Sequence, residues 1–63
     1  MEDFQKRVID ERDQLSQRVD KLSAFFGSPV SDGVPDDELG RLELQLHLMQ
    51  AYLHVLNERI RNF

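Results

Sequence analysis

The side chains best suited to bind a ligand lie in the C-terminal half of the sequence, where polar and aromatic residues recur at a regular spacing and form a polar line. Gln45, Tyr52 and Arg59 follow one another at intervals of seven residues, and an α-helix places residues seven apart on the same side. An arginine guanidinium presents a planar fork that suits phosphate, a tyrosine offers a stacking face with a polar tip, and a glutamine amide can pair with the edge of a base. This combination of residue types suits a nucleotide.

A second polar line, in the N-terminal half, contains Arg7, Glu11 and Arg18. If the two halves form antiparallel helices whose apolar sides face each other, the two polar lines border one groove. In such a pair we expect Arg7 near the level of Arg59, and Glu11 near the level of Tyr52. The structural alternative is that Glu11 forms an ordinary ion pair with an arginine and that the other polar residues edge a subunit contact. The candidate ligand-binding residues are Arg7, Glu11, Gln45, Tyr52 and Arg59.

The first element that must position these residues is a helix over about residues 2–26, a segment without glycine or proline. Gly27 and Pro29 favour its end, and the composition of residues 27–35 is typical of a turn. The apolar residues of the helix recur at helical spacing and form one stripe: Phe4, Val8, Leu15, Val19, Leu22 and Phe26.

A second helix is predicted over about residues 36–63, beginning with three carboxylates that favour the positive end of the helix dipole. Its apolar residues alternate steps of three and four, the pattern of a coiled-coil contact: Leu39, Leu42, Leu46, Met49, Leu53, Leu56, Ile60 and Phe63. Two long helices joined by a short turn fold back on each other. The sequence therefore predicts an all-α fold, a single helical-hairpin domain over residues 1–63.

Assembly into a homo-oligomeric helical bundle is predicted from the size of the chain and from a second apolar stripe. The chain has only 63 residues and no cysteine, and domains of this size usually need disulfides, a metal or a partner chain for stability. The second stripe, which a simple hairpin leaves in water, consists of Leu44, Leu48, Ala51 and Val55. We expect it to be the oligomer interface, because burying each large apolar side chain stabilises by about 1.5–3 kcal/mol.

Several other functions are disfavoured by composition and spacing. No arrangement of nucleophile and base predicts catalytic residues, and no cofactor is expected. His47 and His54 lie two helical turns apart, about 10 Å, which is too far for one metal ion. With only two lysines and a net charge of −4, the chain does not have the cationic surface that DNA or RNA binding needs. No stretch predicts a membrane span or signal peptide, so we expect a cytoplasmic protein.

The segments RVIDERDQL, LSAFFGSPV and RLELQLHLMQAYLHVLNERI resemble a group of very small phage-encoded proteins related to an open reading frame of a crAss-like phage. More distantly, the architecture resembles the two-helix hairpins of phage anti-defence sponge proteins directed against CBASS and Thoeris immunity. That resemblance implies a homo-oligomer that sequesters a nucleotide messenger, of the cyclic oligonucleotide or cyclic ADP-ribose type, without catalysis. It also implies action in the bacterial host cytoplasm during infection.

A second hypothesis for function is a helical protein-interaction or assembly module. In this interpretation the stripe of Leu44, Leu48, Ala51 and Val55 docks a helix of a host or phage protein. The two hypotheses use the same apolar stripe but differ in the role of Tyr52, which is a stacking residue only in the first.

Overall fold

The computed structural model describes all 63 residues and contains two long helices. Helix α1 spans Asp3–Phe26, a short 3₁₀ helix spans Pro29–Gly33, and helix α2 spans Asp36–Arg61. The chain measures 45 × 16 × 14 Å, so the helices lie alongside each other as a hairpin. The rings of Phe4 and Phe63 meet edge to face at the open end, with centroids 5.9 Å apart. The predicted all-α, two-helix fold is confirmed.

The connector is ordered by local hydrogen bonds that follow the glycine, serine and proline pattern of the sequence. The Gly27 N–H donates to the carbonyl of Ala24 at 3.1 Å, which ends α1. The hydroxyl of Ser28 donates to the Phe25 carbonyl, and the hydroxyl of Ser31 donates to the Ser28 carbonyl, each at 2.8 Å. The region predicted as a turn therefore contains a 3₁₀ helix whose geometry fixes how α2 returns along α1.

Helix α2 begins where the sequence predicts and ends two residues earlier than predicted. Pro35 immediately precedes its first residue, and a proline there costs no helical hydrogen bond. At the other end, the side-chain amide of Asn62 donates to the carbonyl of Glu58 at 2.7 Å. The same carbonyl also accepts the backbone N–H of Asn62 at 3.2 Å, and the helix ends at Arg61.

The hydrophobic core lies between the two helices and is small. Its fully enclosed member is Leu56, which has no exposed surface. The other buried apolar residues, all from α1, are Val8, Leu15 and Val19. Leu46, Met49, Leu53 and Ile60 of α2 pack against them and remain partly exposed. Neither helix is long and apolar enough to cross a membrane.

A polar bridge interrupts the apolar contact between the helices. Arg12 occupies the α1 position between Val8 and Leu15 where the helical period would place an apolar residue. Its Nη1 donates to Oδ1 of Asn57 at 3.0 Å, and its Nε pairs with Asp13 at 2.7 Å. The apolar spacing of the sequence gives no indication of this bridge.

The bridge places Glu11 at a different level of α2 from the one that the sequence predicts. Arg12 faces Asn57, so its neighbour Glu11 lies near the level of Asn57. We expected Glu11 near Tyr52, which lies five residues, or about 7.5 Å, from Asn57 towards the start of α2. The difference separates Glu11 from the aromatic residue that it was expected to accompany.

We expect Asn57→Ala to lower the free energy of unfolding by about 1–2 kcal/mol. The substitution removes a part-buried hydrogen bond to a charged group, and such bonds contribute about 1.5–3 kcal/mol when well shielded. Urea denaturation at one fixed protein concentration measures the change. Gln50→Ala is the matched control, because Gln50 is exposed on the same helix. Equal stability of the two variants would show that the bridge contributes nothing.

Candidate ligand-binding groove

The second apolar stripe is exposed on the single chain. The exposed fractions are 60% for Leu44, 62% for Leu48 and 51% for Val55, and Ala51 between them is exposed as well. Three large apolar side chains on one side of a helix form a patch that soluble proteins usually cover. The stripe is therefore available for an interface, and its use in self-association stays a prediction.

A groove of about 460 Å³ lies between the helices near the connector; we call it the interhelical groove. Helix α1 provides both cations and α2 provides one polar side chain. Arg18 and Gln45 belong to the two polar lines of the sequence, and the structure brings them to the same groove. The lining residues are Arg18, Lys21, Leu22 and Phe25 of α1 with Leu42, Gln45 and Met49 of α2.

A second groove of about 420 Å³ lies along α2; we call it the α2 groove. Tyr52 lines it together with two residues of the exposed apolar stripe. The full lining is Arg41, Leu44, Gln45, Leu48, Met49 and Tyr52. Gln45 and Met49 line both grooves, and the Gln45 side-chain amide approaches the Met49 sulfur at 3.8 Å. The two grooves therefore adjoin at Gln45 and Met49.

The arginine of the α2 groove is already paired with carboxylates. Arg41 Nε lies 2.9 Å from Glu38, and its Nη2 lies 3.3 Å from Asp37. These hydrogen bonds, first to Glu38 and then to Asp37, raise the pKa of Arg41 above its usual value. Arg18 and Lys21 have no such partner among the ion pairs of the structure. The cations of the two grooves that are not paired with a carboxylate are therefore Arg18 and Lys21, both on α1.

The structure brings together only part of the residue set predicted to bind a ligand. Gln45 and Tyr52 both line the α2 groove. Arg7, Glu11 and Arg59 line neither groove. Arg7 and Arg59 each lie about one helical turn from the aromatic contact at the open end of the hairpin.

Sequence reasoning did not select Lys21 and Phe25, which line the interhelical groove with Arg18. A signal for Lys21 was present in the sequence. Arg18 belongs to the predicted polar line of α1, and Lys21 follows it three residues later, on a neighbouring part of the helix surface.

The match to a protein family covers nearly all of this grooved hairpin. A family model described as Sequestin matches residues 2–62. The chain belongs to the Sequestin family. Neither the curated proteins nor the solved structures contain a match to it. The family name denotes sequestration and so indicates that Sequestin members bind a target rather than convert it.

The grooves of this Sequestin chain offer the chemistry that binding requires. Arg18 and Lys21 supply positive charge, Tyr52 supplies an aromatic face, and Gln45 supplies both a hydrogen-bond donor and an acceptor. A ligand that combines an anionic group with a planar ring can use all three kinds of contact at once.

Proposed function

We propose that this protein is a phage anti-defence sponge that sequesters a nucleotide immune messenger in grooves between the subunits of a homo-oligomer. The messenger is of the cyclic oligonucleotide or cyclic ADP-ribose type, and it is held without catalysis in the cytoplasm of the infected bacterium. One observation carries the proposal: Gln45 and Tyr52 share a groove with the exposed Leu44 and Leu48. A second chain that covers these leucines also encloses the polar residues beside them.

Each groove residue has a part in the proposed complex. Arg18 and Lys21 hold phosphate oxygens, Tyr52 stacks on a base, and Gln45 pairs with the edge of the base. Enclosure by another subunit excludes water, and charge-assisted hydrogen bonds are stronger in the lower dielectric that results. A ligand enclosed by two chains is also released slowly, because the subunits must separate or open first.

The remaining candidates, Arg7, Glu11 and Arg59, enter this proposal through a neighbouring subunit. Within one chain they lie away from the grooves. A partner lying along α2 can present its own open end to the groove and so contribute an arginine to it.

The exposed stripe also favours a second candidate function, a module that docks a helix of a host or phage protein. Leu44, Leu48 and Val55 have the spacing of the anchor residues that bind a partner helix. In that case Tyr52 lies at the rim of the docking surface and contributes little, because rim contacts are close to neutral. The two candidates therefore differ in how strongly function depends on Tyr52.

Isothermal titration with cyclic dinucleotides, cyclic trinucleotides and cyclic ADP-ribose isomers tests the sponge. We expect at least one of them to bind, and Tyr52→Ala to weaken its affinity by about 5- to 150-fold. Base stacking on an aromatic side chain contributes about 1–3 kcal/mol, and 1.4 kcal/mol corresponds to tenfold in affinity.

Gln50→Ala is the control for this titration, because Gln50 is exposed and lines neither groove. Its affinity should equal that of the unmodified chain. Absence of heat with every compound, at protein concentrations where sedimentation shows an intact oligomer, would falsify the messenger proposal.

A further inference from the structure

We propose that a second copy of this chain covers the apolar stripe with its own α2 running in the opposite direction, and that the partner's Arg59 completes the α2 groove. The role of Arg59 rests on the proposed function, since it concerns a ligand. The pairing of the helices does not, and its test below is independent of any ligand.

The spacing of the stripe is the same in both directions along α2. Leu44, Leu48, Ala51 and Val55 are separated by four, three and four residues. A two-fold axis between Met49 and Gln50 therefore brings Leu44 onto the partner's Val55, and Leu48 onto the partner's Ala51. The most exposed side chain of the stripe, Leu48, thus meets the smallest one, Ala51. Such a self-complementary surface is what an isologous dimer requires.

The charges at the two ends of α2 select the antiparallel direction. Its first turn carries Asp36, Asp37 and Glu38, and its last turn carries Arg59 and Arg61. Antiparallel pairing places the acidic turn of each chain beside the basic turn of the other, and it also opposes the two helix dipoles. Parallel pairing would place acidic turns together, well within the screening length of about 10 Å at 0.1 M salt.

A second copy also supplies what the single hairpin lacks. Only four apolar residues are buried in one chain, whereas Leu44, Leu48 and Val55 each expose half or more of their surface. Because a two-fold axis relates the two chains, a single interface buries the apolar stripe of each chain.

The antiparallel register brings Arg59 to the ligand groove. The partner's Arg59 lies near the level of Gly40 and Arg41, at one end of the α2 groove. Arg59 is seven residues from Tyr52, so both lie on the same side of the stripe. The two-fold axis keeps that side of both chains on one edge of the interface, and the partner's Arg59 therefore faces the groove that holds Tyr52 and Gln45.

The α2 groove has no unpaired cation of its own. Its own Arg41 is paired with Asp37 and Glu38, while Arg59 has no ion pair within its own chain. The partner's guanidinium thus adds the free positive charge that the aromatic part of the groove lacks. An anionic ligand stacked on Tyr52 is then held by both subunits.

Disulfide cross-linking tests the direction of pairing, because the chain contains no cysteine. Leu44→Cys and Val55→Cys are prepared separately, one of them labelled with ¹⁵N, then mixed and oxidised mildly. We expect a mixed disulfide between positions 44 and 55 and no disulfide within either variant alone. In the antiparallel pair the two copies of position 44 lie about 16 Å apart along the helix, and a disulfide needs Cβ atoms within about 4.5 Å.

Gln50→Cys is the control for chance collisions, because this exposed position lies beside the axis but points away from the stripe. It should give no disulfide. Efficient linkage of Leu44→Cys to itself would overturn the antiparallel pairing in favour of a parallel one. An unmodified chain that sediments as a monomer, or dimers in which 44 and 55 do not link, would overturn it too.

Arg59→Ala tests the second half of the inference, with Arg61→Ala as its matched control. With the messenger that gives heat in the titration, we expect Arg59→Ala to weaken binding about tenfold while the dimer stays intact, and Arg61→Ala to leave binding unchanged. Equal affinity of the two variants would remove Arg59 from the site. If the 44 to 55 disulfide forms and no messenger binds, the proposed function fails and the pairing stands.

Discussion

Leu56→Ala should leave the protein largely unfolded at room temperature. Leu56 has no exposed surface and belongs to the same buried cluster as Val8, Leu15 and Val19 of the other helix. Removing the side chain of a buried leucine costs about 2–5 kcal/mol, part of it for the cavity that remains. A core in a domain of this size supplies only about 3–5 kcal/mol, so the substitution removes most of the stability. Far-ultraviolet circular dichroism during thermal melting measures the loss.

Leu56→Met is the matched control for this prediction. It keeps the volume and the apolar character of the side chain and should cost less than about 1.5 kcal/mol. The Met variant should therefore melt as a folded helical protein under conditions in which the Ala variant has lost its helical signal. Similar melting curves for the Ala variant and the unmodified chain would show that the interhelical core does not hold the hairpin together.

The sequence was sufficient to predict the helices and the side on which they meet. Gly27 and Pro29 end α1, and Pro35 precedes α2, as their backbone preferences require. Leu56 and Leu15 lie in the contact that the apolar spacing predicted. These features are local or periodic, so the order of the residues along the chain determines them directly.

The register between the helices was not available from the same pattern. A shift of one turn along either helix still presents apolar residues to the partner, so periodicity alone does not choose between registers. The choice is made by the 3₁₀ geometry of Pro29–Gly33 and by the hydrogen bond from Arg12 to Asn57. Neither is visible as an apolar repeat, and the predicted neighbourhood of Glu11 and Tyr52 was wrong for this reason.

For the candidate site, too, the sequence predicts the side of a helix on which a residue lies, but not which residues of the other helix it faces. Gln45 and Tyr52 were placed on one side of α2, and the structure places both in one groove because that relation lies within a single helix. Arg18 was placed on the matching side of α1, and it lines the same groove as Gln45. Which residues of α1 stand opposite the groove depends on register, so Lys21 entered the site and Arg7 did not.

Leu48→Asp should abolish self-association while the hairpin remains helical. Leu48 lies in the middle of the stripe and is 62% exposed on the single chain, so the substitution leaves the interhelical core untouched. In the proposed dimer it places an unpaired carboxylate in an apolar contact, twice by symmetry, and burying an unpaired charge costs several kcal/mol. Sedimentation velocity across the micromolar range should show a monomer, and circular dichroism should show preserved helix. Gln50→Asp adds the same charge on a different side of α2 and should still associate.

The same variant separates the two candidate functions when it is combined with Tyr52→Ala. A sponge whose grooves close between subunits loses messenger binding with Leu48→Asp, because the enclosing wall is gone, and with Tyr52→Ala, because the stacking face is gone. A module that docks a helix loses capture of its protein partner with Leu48→Asp and retains it with Tyr52→Ala. Leu48 and Tyr52 line one groove and lie about one helical turn apart. A difference between the two variants therefore reports whether a nucleotide or a protein helix occupies that groove.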